Sequence, residues 1–204
     1  MAIRYWKEKQ IFSIDTKNTT YQMKVDSYGF LLHLYYGAKV NGAMDYLLTY
    51  ADRGFSGNPA EAGADRTYSL DVLPQEYPTW GTGDYRNAAL LIQNADHSES
   101  CKLQYAGHTI KKGKYNLSGL PAVYAEENEA ETLEIYMEDC VSNLKVTLLY
   151  GVVEQLDIIT RSVIIENHGS ENIIIEKAGS ACLELLPGQY DLLSFCGRHT
   201  LSLI

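Results

Sequence analysis

Two stretches of this chain carry the strongest apolar pattern of period 2, and no stretch repeats its apolar residues at helical spacing. From Thr132 to Met137, Leu133, Ile135 and Met137 share one face and Glu134 and Tyr136 the other; from Leu144 to Tyr150, Leu144, Val146, Leu148 and Tyr150 do the same. Side chains on a pleated strand point to opposite faces in turn, so each segment buries one face of a sheet. No segment sustains an i, i+3, i+4, i+7 stripe with caps, although Ala178–Leu186 would tolerate a helical turn. The fold class is therefore mainly β, an antiparallel β-sandwich of stacked sheets with turn signals at short intervals.

Other segments fit the same class. Thr20–Val25 alternates, with Tyr21, Met23 and Val25 opposite Gln22 and Lys24, and Asp26–Gly29 reads as a turn. Phe30–Tyr36 is apolar on both faces apart from His33, which predicts a strand buried between layers and a hairpin with its predecessor. Ala88–Gln93 is a short apolar run, and Cys101–Tyr105 and His108–Lys112 read as two strands flanking Gly107. Asp157–Asn167 and Asn172–Ala178 are rich in Ile and Val. The turn His168–Glu171 between them predicts a further hairpin, with Gly169 where positive φ is wanted.

Composition narrows the function classes. A chain of 204 residues, 46% hydrophobic and 21% charged, has what one soluble globular domain needs. Its net charge of -9 argues against a nucleic-acid partner, and Lys111, Lys112 and Lys114 read as a solvated hairpin edge. The amino terminus interleaves charges with apolar residues and lacks the roughly 7 to 15 residue apolar run of a signal peptide. With no membrane-spanning run either, a cytoplasmic protein is expected. Cys101, Cys140, Cys182 and Cys196 form no C-x-x-C pair, which suits reduced thiols. The final Arg198–Ile204 is apolar just where another strand begins, so a fragment of a longer protein is expected.

Familiar catalytic constellations are missing from the sequence. His33, His97, His108, His168 and His199 lack metal-ligand spacing, so neither metal nor cofactor is expected. Gly81-Thr-Gly83 lacks the third glycine of a dinucleotide fingerprint, no G-x-S-x-G elbow exists, and Cys140 and Cys182 carry no nucleophile signature. Glu126, Glu127, Glu129, Glu131 and Glu134 offer carboxylates in the number glycoside hydrolysis needs. Their place beside and along one strand favours a solvated edge.

One segment escapes the strand pattern. Asp45–Arg86 holds five Gly (54, 57, 63, 81, 83) and three of the chain's five Pro (59, 74, 78), with no period of 2 or 3.6. Long ordered loops in compact domains are usually functional. Here Asp52, Arg53, Asp65, Arg66, Asp84 and Arg86 alternate with Phe55, Tyr68, Tyr77, Trp80 and Tyr85. Carboxylates and guanidinium groups pair with vicinal hydroxyls while aromatic faces pack on a sugar ring, so the mixture suits a carbohydrate. The same Asp-Arg pairs and tyrosine hydroxyls also pin a long loop to its scaffold, and for most of these residues that is the favoured reading.

The loop also carries a family resemblance. Tyr50-Ala-Asp-Arg-Gly-Phe-Ser-Gly-Asn-Pro59, Asp65-Arg-Thr-Tyr-Ser-Leu-Asp71, Pro74-Gln-Glu-Tyr-Pro78, Gly83-Asp-Tyr-Arg86, Gly119-Leu-Pro-Ala122, Glu129-Ala-Glu-Thr-Leu-Glu134 and Ile159-Thr-Arg-Ser162 occur in order. Up to about Gly197 the chain resembles the amino-terminal region of bacterial intracellular glycoside hydrolase family 36 α-galactosidases. The resemblance implies that residues 1–204 are the first part of a β-supersandwich domain. In the family a catalytic (β/α)8 barrel, absent from this chain, and a small β domain follow.

Family members are retaining enzymes whose nucleophile lies in a Lys-Trp-Asp motif. This chain has only Trp6-Lys7, in reverse order, so no catalytic residue is assigned and the chain alone is expected to be inactive. In tetrameric members this domain reaches a neighbouring subunit's active site. The resemblance therefore implies a homo-oligomer in which Asp52 contacts the galactosyl unit of an α-galactoside oligosaccharide, with Arg53, Phe55 and Arg66 as rim residues for the rest of that oligosaccharide. The alternatives are a stand-alone carbohydrate-binding sandwich using Trp80 and the tyrosines, and a purely structural oligomerisation module.

Overall fold

The computed structural model describes residues 2–52, 54, 57–119, 122–183, 185, 188–191 and 193. They form an antiparallel β-sandwich. One sheet runs in sequence order through β1 (Ile3–Trp6), β2 (Ile11–Asp15), β3 (Thr19–Val25) and β4 (Leu31–Ala38). The facing sheet takes β6 (Gln104–Lys112), β7 (Glu131–Asp139), β8 (Leu144–Val153) and β9 (Ile158–Asn167), and β5 (Leu90–Gln93) pairs with β10 (Ile174–Ala178) as a two-stranded ribbon.

The alternation works as expected where one face is buried. Leu133, Ile135 and Met137 on β7 and Leu144, Val146, Leu148 and Tyr150 on β8 are all buried. They meet Phe12, Ile14, Tyr21, Met23 and Val25 of the first sheet and Leu90 and Ile92 of β5 in one core. Burying an aliphatic or Phe side chain of this kind contributes ~1.5–3 kcal/mol relative to leaving it exposed.

β4 separates two cores, which explains its apolar character on both faces. Leu31 belongs to the main core, while Phe30 and Leu32 pack with Ala62, Tyr68, Leu70 and Leu73 of the long loop. That loop therefore forms a third layer. Its Pro74–Glu76 stretch runs along β4, with the His33 N–H donating to the Pro74 carbonyl (2.7 Å) and the Glu76 N–H to the Leu31 carbonyl (2.9 Å).

Several expectations need correction. Asp157–Asn167 and Asn172–Ala178 do not pair with each other: β9 pairs along its whole length with β8, and β10 crosses to β5. Both segments are Ile/Val-rich, and composition alone does not choose a partner. Gly169 is needed for close approach rather than positive φ, because a Cβ there would lie 2.6 Å from the Ser142 carbonyl oxygen. Cys101–Tyr105 and His108–Lys112 are not two strands; most of this stretch is the single β6, with a register shift between Tyr105 and Gly107 absorbed as a bulge. The described residues of 178–185 carry no helical turn.

The amino terminus holds two strands that no pattern marks. β1 is short, and every residue of β2 is buried, so neither shows alternation. Gln22 on β3 is buried too, because the chain after β4 folds over it: its Nε2 donates to the Gly42 carbonyl (2.8 Å) and its Oε1 accepts from the Met44 N–H (2.9 Å). In the acidic run, Glu126, Glu127 and Glu129 are exposed. Glu131 is not at a solvated edge, since its carboxylate accepts the Ile3 N–H at 2.9 Å and ties the two sheets together.

Candidate functional site

The long loop is held from inside by its own polar side chains. Arg86 Nη2 donates to the carbonyls of Leu70 (2.9 Å) and Leu73 (2.7 Å) and to Asp84 Oδ2 (2.9 Å), while its Nε donates to Asp84 Oδ1 (3.0 Å). Gln75 Nε2 also donates to Asp84 (2.8 Å). Burial alone would push the Asp84 carboxyl up, but the hydrogen bonds and charge of Arg86 outweigh it and hold it below the usual range. Asp65 accepts the Thr67 N–H (2.9 Å) and hydroxyl (2.7 Å), and the Tyr77 hydroxyl donates to the Gly179 carbonyl (2.8 Å). For Asp84, Arg86, Tyr68 and Tyr77, pinning is the role the geometry shows.

Other loop residues face outward. Asp52 Oδ1 accepts the Gly54 N–H (2.8 Å) and Arg66 Nη2 (3.2 Å), and the same Nη2 reaches the Gly54 carbonyl (3.3 Å). With side chains 49% and 64% exposed, Asp52 and Arg66 form a surface pair; among the described residues the second Asp52 oxygen takes no hydrogen bond, and it and the remaining guanidinium N–H groups suit a ligand. Arg53 and Phe55, the other two site residues expected from the sequence, lie outside the described residues. Tyr50, Trp80 and Tyr85 are exposed on the same loop, Trp80 and Tyr85 lining a cleft of about 490 Å³.

Sequence reasoning missed the buried centre behind this surface. Glu76 is wholly buried, and its carboxylate accepts the hydroxyls of Tyr21 (2.7 and 2.8 Å) and Tyr150 (2.7 Å). Arg161 Nη1 lies 2.7 Å from it and His33 Nδ1 3.2 Å. Burial would raise the Glu76 pKa, but Arg161, His33 and Tyr150 together bring it below the usual carboxylate range. Burial pushes the Tyr21 and Tyr150 phenols well above their ordinary value, with Glu76 adding to the effect. Five side chains from β3, β4, the loop, β8 and β9 thus join the two sheets and the loop layer. The only sequence signals were a lone Arg among the Ile and Val of β9 and a lone Glu between two prolines.

Among the described residues, no group of three or more His, Cys, Asp and Glu side chains could hold a metal ion, and no helix is long and apolar enough to cross a membrane. Among the described residues, Cys101 and Cys140 are free thiols.

An antiparallel sandwich carrying an outward Asp-Arg pair on an ordered loop layer defines the class: a β-sandwich domain. Residues 29–201 match the glycosyl hydrolase family 36 N-terminal domain, and the chain belongs to that family. It is 59% identical over 201 residues to the bifunctional alpha-galactosidase/sucrose kinase AgaSK of Mediterraneibacter gnavus, a match covering 98% of this chain and 22% of that protein. It is 39% identical over 201 residues to alpha-galactosidase AgaA of Geobacillus stearothermophilus, covering 97% of this chain and 27% of that one.

Solved structures agree. The galactosidase domain of AgaSK superposes with a TM-score of 0.87 at 61% identity, covering 89% of this chain and 25% of its own. A variant of the Geobacillus stearothermophilus family 36 alpha-galactosidase AgaA in complex with raffinose gives 0.80 at 41% identity, covering 84% and 24%. The chain therefore spans about a quarter of the length of the relatives it matches.

Proposed function

We propose that this chain is the amino-terminal part of the β-supersandwich domain of a retaining α-galactosidase that removes terminal α-galactosyl units from melibiose- and raffinose-type oligosaccharides. The chemistry belongs to a barrel outside these residues, and this domain serves oligomer assembly and substrate binding at a neighbouring subunit's active site. Supporting this reading are the similarity to α-galactosidases along nearly the whole chain and the capture of raffinose by one such relative. Within this chain, the observation that carries it is the exposed Asp52–Arg66 pair.

A carboxylate with one oxygen already tied to the loop presents the other in a fixed direction, which suits a bidentate grip on vicinal sugar hydroxyls. Arg53 and Phe55 complete the proposed rim. In the full-length enzyme, Asp52→Ala is expected to raise KM for an α-galactoside roughly tenfold or more, since hydrogen bonds to charged groups contribute ~1.5–3 kcal/mol. Unchanged KM and kcat would remove Asp52 from the site. A stand-alone carbohydrate-binding sandwich is the second reading, favoured by the exposed Trp80 and Tyr85 at their cleft. It predicts measurable sugar affinity in the 204-residue chain by itself.

A further inference from the structure

The Asp52–Arg66 pair stands at the surface, where solvent screens an ion pair and leaves it too weak to fix its own geometry. The two arms of loop that carry it are fixed from below. Tyr50 comes two residues before Asp52 and Tyr68 two residues after Arg66, and their rings lie nearly parallel with centroids 6.4 Å apart. Tyr68 is buried, and its hydroxyl donates to Oδ2 of the equally buried Asp26. We propose that Asp26 and Tyr68 are positioning residues: their hydrogen bond sets, with the Tyr50 ring, where Asp52 and Arg66 stand toward the substrate. This rests on the reading of Asp52 above and adds what holds that carboxylate in place.

The anchor belongs to the first sheet. Asp26 directly follows β3, and in the turn to β4 its Oδ1 accepts the N–H groups of Tyr28 and Phe30, both at 2.9 Å. Its own N–H donates to the Phe30 carbonyl at 2.9 Å. Every partner of the side chain is a donor, and both oxygens are used, so the carboxylate has one orientation to offer Tyr68. A hydrogen bond of this charged kind is strong, and burial keeps water from competing for it. Tyr28 meets the Tyr68 ring edge-on at 4.7 Å and fixes its tilt.

From Tyr68 the constraint runs outward along both arms. Between Tyr68 and Arg66 the backbone is tied by Asp65, whose carboxylate accepts the Thr67 N–H (2.9 Å) and whose carbonyl accepts Asn58 Nδ2 (2.8 Å). Arg66 Nη2 then bridges Asp52 Oδ1 (3.2 Å) and the Gly54 carbonyl (3.3 Å), while Tyr50 rests the opposite arm on Tyr68. Asp52 is thus the outer end of a series of contacts that begins inside the protein. Without the Tyr68 hydroxyl the arms lose their fixed point. Affinity then falls by the fraction of time the carboxylate is misdirected, but a sugar once bound meets unchanged chemistry. The signature is therefore in KM and not in kcat.

The test uses the full-length enzyme and a chromogenic aryl α-galactoside. Tyr68→Phe, which removes only the hydroxyl, is expected to raise KM roughly fivefold with kcat within about twofold and near-ultraviolet circular dichroism unchanged. In an Asp52→Ala background the same substitution is expected to add less than about twofold, because a residue acting through Asp52 has nothing left to position. Tyr50→Leu is expected to raise KM about threefold while Tyr50→Phe matches the wild type, since the ring and not its hydroxyl braces the arm. Should Tyr68→Phe fold poorly, the Tyr50 variants decide, and an unchanged KM in Tyr50→Leu overturns the proposal. A lower melting temperature with unchanged KM in Tyr68→Phe overturns it too, as does a full additional rise in KM on top of Asp52→Ala. Asp52→Ala alone separates the two readings. If it raises KM and Tyr68→Phe does not, the role of Asp52 stands and only the positioning fails; if it leaves KM unchanged, the role of Asp52 fails and the positioning with it.

Discussion

Arg161 Nη1 sits 2.7 Å from Glu76 Oε1, with the guanidinium carbon 4.5 Å from the centre of the Tyr150 ring. The pair is almost wholly inside the protein, Arg161 10% and Glu76 0% exposed. Taking two ions out of water is costly, and the cost is met here by the partner charge, the two phenol hydroxyls and the ring face. Because β9 supplies the arginine and the loop supplies the glutamate, the pair fastens the loop layer across the sandwich.

Removing one partner should therefore hurt far more than a contact count suggests. Arg161→Ala leaves a buried carboxylate without its countercharge and is expected to cost ~3–5 kcal/mol in urea denaturation. Replacing both members with neutral groups of similar shape, Glu76→Gln with Arg161→Met, should cost less than Arg161→Ala alone. A double variant as damaged as the sum of the single ones would show that the two side chains act independently.

The same centre sets the pH range of stability. Tyr21 and Tyr150 have folded pKa values well above the ordinary 10, so their contribution is full below that value and is lost as pH rises above it. Glu76 works in the opposite sense. Its folded pKa is lowered, so its contribution is present above about pH 4.3 and fades as pH falls through the folded value. Phenolate absorbance should show these two tyrosines ionising only together with loss of near-ultraviolet circular dichroism. Their ionisation at pH 10 in a folded protein would refute the buried network.

What the sequence reveals here follows from how far a side chain's signal extends. β7 and the first half of β8 have one buried face, and their alternation alone placed Leu133 and Leu148 inward. β2 is buried on both faces and β1 is four residues long, so neither writes a pattern. Partner choice is a property of the whole chain, which is why β10 was assigned to β9 instead of β5. The site divides in the same way. The loop's mixture of Asp, Arg and aromatic residues was legible, and so was the possibility that some merely pin it, as Asp84 and Arg86 do. The centre formed by Tyr21, His33, Glu76, Tyr150 and Arg161 was not, because those side chains meet only through tertiary packing.

Gly83 gives a direct test of how tightly the loop folds on itself. It has φ of 86°, and a Cβ there would lie 2.5 Å from the Gly57 carbonyl oxygen and 2.9 Å from the carbonyl carbon. Backbone cannot move aside as a flexible side chain can, so Gly83→Ala carries both a left-handed penalty and a clash. A loss of ~1–3 kcal/mol is expected. Proteolysis should cut the loop faster in this variant while the sheets keep their amide protection; uniform loss of protection would mean that the loop and the sheets unfold as one unit.

Arg66 offers the contrast to Arg161, since it also pairs with a carboxylate but does so at the surface. Exposed ion pairs contribute ~0–1 kcal/mol, so Arg66→Ala should barely move the denaturation midpoint. Its effect belongs instead to the ligand. The pair steadies Asp52 and supplies donors of its own, so in the full-length enzyme the variant is expected to raise KM for an α-galactoside several-fold with folding intact. Raising the salt concentration should weaken the pair in the wild-type enzyme and shift KM in the same direction, but leave the variant nearly unresponsive. A large stability loss without a change in KM would assign Arg66 to the loop's scaffold, beside Arg86.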